Sequence, residues 1–193
     1  MKQILCCLMV CLMLEVATWQ RSYAADASPL ADVAAMPLVF RRTTLIVRDI
    51  PSALALYKDA LGMEVIYDEE IRRPHPFEDR EQQLRLLFLK ASHDHVGVIG
   101  LIDYEYGYPD HPAHTKPVTR EGFTPGNAVL IFNTTTLRER WPAIESAPGV
   151  EVISPPKVTE YPGYGGEGVI RVLVSKFYDA DGYLIELNQL LVD

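Results

Sequence analysis

The chain carries one short phrase twice, Gly-Met-Glu-Val-Ile from Gly62 and Gly-Val-Glu-Val-Ile from Gly149, and each copy ends a helix-like stretch that follows a strand-like run. Ahead of the first copy, Arg42 to Ile50 is rich in β-branched residues. Pro51 to Gly62 then switches to helical spacing, with Leu54, Tyr57 and Leu61 on one face. Pro51 suits a first helical turn and Gly62 a helical stop. Met63 to Glu70, Gln83 to Lys90 and Val96 to Tyr104 read as strands. The order returns further on: a strand over Asn127 to Asn133, a helix over Thr134 to Gly149 despite Pro142, then strands over Val150 to Pro156, Gly168 to Tyr178 and Tyr183 to Gln189. Asn133 or Thr134 is available as the second helix's cap, and Asp181-Gly182 joins the last two strands as a turn. Val47 falls on Phe132, and Glu64-Val65-Ile66 on Glu151-Val152-Ile153, with two residues inserted in the second helix region. A five-residue match can arise by chance, but the same order of five elements on both sides makes the chain a tandem β-α-β-β-β pair.

The remaining segments frame that pair. Lys2 precedes an apolar run from Ile4 to about Trp19, and small residues follow at Ser22, Ala24, Ala25 and Ala27. This is the layout of a signal peptide over residues 1–25, and it implies a periplasmic or secreted protein with no membrane attachment after cleavage. A retained anchor is the competing reading, though Glu15 interrupts the run, and Val10 before Cys11 suits a lipoprotein poorly. Cys6, Cys7 and Cys11 all lie inside this segment, so the exported chain would hold no disulfide, thiolate metal site or cysteine nucleophile. Residues 26–40 read as a leader arm, 41–104 as the first module, 105–126 as a Pro- and Gly-rich inter-module loop and 127–193 as the second module. The net charge of −8 argues against nucleic acid as a partner.

Two stretches carry a family resemblance. Thr44 to Val65, "TLIVRDIPSALALYKDALGMEV", and Phe177 to Gln189, "FYDADGYLIELNQ", resemble the first strand, helix and closing hairpin of the vicinal oxygen chelate superfamily. That superfamily takes in glyoxalase I, the bleomycin-resistance proteins and the extradiol dioxygenases. The resemblance covers nearly all of residues 41 to 190 and implies an α+β fold in which two modules curl their sheets around a shared cleft. Its metal-dependent members hold a divalent ion on the first and fourth strands of each half, and the resemblance places those positions on Arg42, Gly100, Asn127 and Glu186. Only Glu186 has good ligand chemistry: arginine stays protonated and glycine has no side chain. A register slip of two puts Phe40 or Thr44 on the first strand and Val98 or Ile102 on the fourth, none of them a strong ligand. No cofactor is therefore expected, with a divalent metal as the outside alternative.

Arg42 opposite Glu186 could be a structural ion pair or a clamp for an anionic oxygen, with Asn127 donating or accepting beside them. Tyr178 belongs to a set of tyrosines, with Tyr104, Tyr106, Tyr108, Tyr161 and Tyr164, placed to edge a cleft. His93 and His95 have the spacing of metal ligands on a strand, but a polar turn is the simpler reading of "ASHDH". His111 and His114 lie in the loop without an evident partner. Asp179 to Gly182 lacks the calcium-loop pattern and reads as a hairpin turn. Two functions stand open: an exported, metal-free protein binding a small aromatic or anionic molecule, or a lyase, isomerase or dioxygenase with displaced metal ligands. Glu186 is the weak catalytic candidate in the second, and Glu186, His93 and His95 are its weak metal candidates. A homodimer formed by exchange of modules stands as a further alternative.

Overall fold

The computed structural model describes residues 36–111, 116–163, 165 and 167–191. Residues 1–25, expected as a signal peptide, lie outside them, as does the part of the expected leader arm before Met36. Two compact units divide at Val39/Phe40, and everything below concerns the unit Phe40–Asp193. Its elements run β1 (Arg42–Ile46), α1 (Ile50–Leu54), a π-helical continuation (Ala55–Ala60), β2 (Glu64–Pro74), β3 (Glu81–Lys90) and β4 (Val98–Asp103). They continue with β5 (Val129–Asn133), α2 (Leu137–Glu145), β6 (Glu151–Pro162), β7 (Val169–Tyr178) and β8 (Leu184–Leu191). The strands form two four-stranded sheets in the same order, β1-β4-β3-β2 and β5-β8-β7-β6. In each, the first strand runs parallel to the last and the other pairs are antiparallel.

The repeated glycines have a geometric cause. Gly62 and Gly149 both have φ of 74°, the left-handed region that ends a helix and that side chains with a Cβ avoid. Asp49 caps α1, its Oδ2 accepting from Ser52 N–H at 2.9 Å and from the Ser52 hydroxyl at 2.5 Å. The second helix is capped from elsewhere: Gln189 Oε1 on β8 accepts from Leu137 N–H at 3.0 Å, and Thr134 Oγ1 accepts from Thr136 N–H at 3.2 Å. Neither Asn133 nor Thr134 therefore caps α2 directly, and its N-cap position is Thr136.

Alternation along the strands assigns each side chain to a face. Leu45, Leu87, Leu101, Phe177 and Ile185 point to the helices and join Ile50, Tyr57, Leu137, Trp141 and Ile144 in one buried cluster that spans both modules. A deep cross-module bond lies inside it: the Tyr57 hydroxyl donates to Asp179 Oδ2 at 2.8 Å, both side chains buried. Asp179 Oδ1 accepts from the N–H groups of Asp181 and Tyr183 at 3.0 and 2.8 Å, which closes the β7–β8 turn. Asp179 to Gly182 is thus the hairpin turn expected of it, with Gly182 at φ 91°.

Candidate functional site

The opposite face of the first sheet carries Arg42 and Gly100, and the register explains what they do together. Thr44 lies beside Gly100 on the neighbouring strand, Arg42 beside Val98, and Phe88 on β3 pairs with Gly100 from the other side. A Cβ on Gly100 would stand 2.8 Å from Thr44 Oγ1 and 3.1 Å from Arg42 Cδ. The missing side chain is what lets the arginine lie flat across β4. Its Nε donates to Thr44 Oγ1 at 3.0 Å, and its guanidinium carbon rests 3.9 Å from the Phe88 ring centroid. Phe88 in turn stacks on Tyr67 of β2, with centroids 4.7 Å apart and planes at 20°. The result is a ladder across four strands that ends in a cation on an aromatic face. Among the described residues no carboxylate pairs with Arg42, and its two terminal nitrogens have no protein acceptor.

Arg42 lines a cavity of about 390 Å³ on the β1 and β5 edges, with Phe40, Ser92, Val129, Ile131 and Asn133 among its walls. Among the described residues, the charged ones of its lining are Arg41 and Arg42, and no acid joins them. Pockets of this size hold small organic ligands.

Glu186 sits on the corresponding face of the second sheet. Its register partner across the hairpin is Lys176, whose Nζ lies 3.4 Å from Glu186 Oε2, and Asn188 Nδ2 donates to Glu186 Oε1 at 2.9 Å. The expected Arg42–Glu186 ion pair is therefore not formed. Lys176 is the partner because antiparallel pairing puts it directly opposite, whereas Arg42 lies on the other sheet. Asn188 Oδ1 is buried with no hydrogen-bond partner among the described residues.

Asn127 is the other correction. It precedes β5 in a turn, with Nδ2 donating to Gly122 O and Oδ1 accepting from Ala128 N–H, both at 2.8 Å. Ile131 pairs with Glu186, and Val129 with Leu184. Since Arg42 stands two residues before the partner of Gly100, the place matching Arg42 in the second module is Val129. Tyr178 is buried below the loop, with Arg120 5.8 Å from its ring centroid, and does not line the cavity.

The histidines are placed as follows. His93 and His95 lie in the turn before β4, where His93 Nδ1 accepts from His95 N–H at 3.1 Å. His111 Nε2 meets the buried Asp103 carboxylate at 2.5 Å, a partner sequence reading could not supply. His114 and Tyr164 fall outside the described residues. Arg73, Arg85 and Arg80 lie over Tyr104, Tyr106 and Tyr108 at 5.9, 5.4 and 4.2 Å, so these tyrosines are committed to the protein's own cations.

The four positions do not suit a divalent ion. A stacked guanidinium, a bare backbone, an aliphatic or turn residue and one carboxylate already held by an ammonium lack the converging donors such an ion needs. Among the described residues no group of three or more His, Cys, Asp or Glu stands close enough to hold a metal.

Two sheets of this order, each with its helices on one face, facing edges at a cavity, and a closing β7–β8 turn pinned to the π-helical continuation of α1 define a paired-module α+β protein. The family model of the Glyoxalase/Bleomycin resistance protein/Dioxygenase superfamily matches residues 39–187, and the chain belongs to that superfamily. It is similar to the crystal structure of a glyoxalase family protein from Bacillus cereus, at 16% identity and a TM-score of 0.58, over 82% of this chain and 99% of that one. It also resembles the structure of a glyoxalase I mutant from Zea mays, at 20% identity and a TM-score of 0.50, over 77% of this chain and 46% of that one. Among curated proteins none matches. At these identities the structural likenesses speak for the fold.

Proposed function

We propose that this protein binds a small organic anion in the cavity at the β1 and β5 edges, without the superfamily's usual metal, and that it does so after export. The observation that carries the reading is Arg42: stacked on Phe88, fixed by Thr44, and with terminal nitrogens that meet no protein acceptor among the described residues. A guanidinium that rests over an aromatic ring and bonds the protein through Nε alone leaves its terminal nitrogens for a carboxylate. Val129, Ile131 and Phe40 offer apolar surface for the rest of the ligand. Export rests on the layout of residues 1–25 and would be checked by the N-terminal sequence of the mature protein.

A thermal-shift comparison of phenylacetate with phenylacetamide tests the anion. The acid should raise Tm and the neutral amide should not; equal shifts would remove the role given to Arg42. Metal content is a separate measurement on protein purified without chelator. Less than stoichiometric zinc, nickel, manganese or iron is expected, and a stoichiometric ion lost in Glu186→Ala would favour the enzyme reading instead.

A further inference from the structure

The two walls of the cavity are sheet edges, and the direction of their backbone groups can be read from the pairing. Val98 N–H donates to Arg41 O at 3.4 Å and Val47 N–H to Ile102 O at 2.9 Å, so β1 spends its odd-numbered residues on β4. Arg42, Thr44 and Ile46 then turn their N–H and C=O groups to the open side. Those of Ile46 are taken by the Tyr183 hydroxyl, which accepts from its N–H at 3.0 Å and donates to its carbonyl at 3.2 Å. On β5, Thr134 N–H donates to Asn188 O at 2.8 Å, so Leu130 and Phe132 face β8 while Val129, Ile131 and Asn133 face outward. The sheets stop at β1 and β5, and among the described residues strand pairing gives these outward groups no partner.

We propose, resting on the anion reading above, that this gap takes a short free peptide, extended between the two edges with its terminal carboxylate on Arg42. An inserted strand would offer backbone donors and acceptors to the outward groups of Arg42 and Thr44 or of Val129, Ile131 and Asn133, which a simple acid cannot do. The cationic lining complements the C-terminus, and alternate side chains would meet Val129 and Ile131. The five residues of β5 all line the cavity. At about 3.3 Å per residue they span roughly 13 Å, room for two or three peptide units.

Calorimetric titration of the full chain with N-acetyl-Leu-Leu, its analogue N-methylated at the Leu-Leu amide, and hexanoate tests this. The dipeptide acid should bind at least tenfold more tightly than hexanoate, N-methylation should remove most of that gain, and Arg42→Ala should weaken both acids at least tenfold. Equal affinity for hexanoate, or no effect of N-methylation, overturns the peptide assignment and leaves the anion site standing. If no acid binds in an Arg42-dependent way, the anion reading fails and the peptide falls with it.

Discussion

Arg42 keeps both its aliphatic stem and its head engaged, so charge and shape can be separated there. Arg42→Lys retains a cation but neither the planar stack on Phe88 nor the two-pronged edge, and an organic anion should bind about tenfold more weakly by titration. If lysine serves as well as arginine, geometry plays no part and the site is only a diffuse positive patch. Asp179 gives a second test at this scale. Burial pushes its carboxyl above the usual aspartate range, opposed by hydrogen bonds from Tyr57 and from the backbone of Tyr183, Asp181 and Gly182. The folded state therefore binds this proton more tightly than the unfolded chain does. Its stabilising share is complete below the unfolded value and is lost as pH rises through the folded one. Urea melts at rising pH should show that decline, and Asp179→Asn, whose oxygen still accepts from the Asp181 and Tyr183 N–H groups while its amide donates to the Tyr57 oxygen, should flatten it. Tyr57→Phe leaves the buried carboxylate short of its donor and should cost about 1–3 kcal/mol.

Helix ends distinguish the two copies of the repeated phrase. An added Cβ at Gly149 would come within 2.6 Å of Ala180 Cβ and 2.8 Å of Ala180 Cα, whereas at Gly62 its nearest neighbour is the movable tip of Arg140 at 2.5 Å. Both substitutions to alanine carry the left-handed backbone penalty of about 1–2 kcal/mol. Gly149→Ala should add roughly 1–3 kcal/mol of overpacking, seen as the larger fall in urea midpoint. Equal losses would mean that the β7–β8 turn yields freely. The elements themselves were legible because strand and helix periods, Pro51, Gly62, Gly149 and Asp181-Gly182 all act locally. Asn127 falls in a turn and not on the strand expected from sequence: Ala128 prolongs the apolar run backward to Asn127, and only the bond from Asn127 to Gly122 O shows where pairing begins.

At the scale of the molecule, the two modules share one core, with residues of α1 and of α2 in the same buried cluster. Thermal unfolding followed by Trp141 fluorescence and by far-UV circular dichroism should therefore give coincident transitions, and separate midpoints would show modules that melt apart. The repeat and its architecture could be read from sequence, since they rest on element order. The ladder of Arg42, Phe88 and Tyr67 and the pairing of Glu186 with Lys176 could not, since each depends on cross-strand register set by hairpins far from the residues concerned. Phe88, Tyr67, Lys176 and Asn188 were missed for that reason. The measurement that bears most directly on the site is calorimetric titration of phenylacetate into the wild type and Arg42→Ala, with Tm recorded for both. The expected result is saturable one-to-one binding that weakens at least tenfold in the variant while Tm stays within a few degrees. Unchanged affinity in a folded Arg42→Ala protein would contradict it.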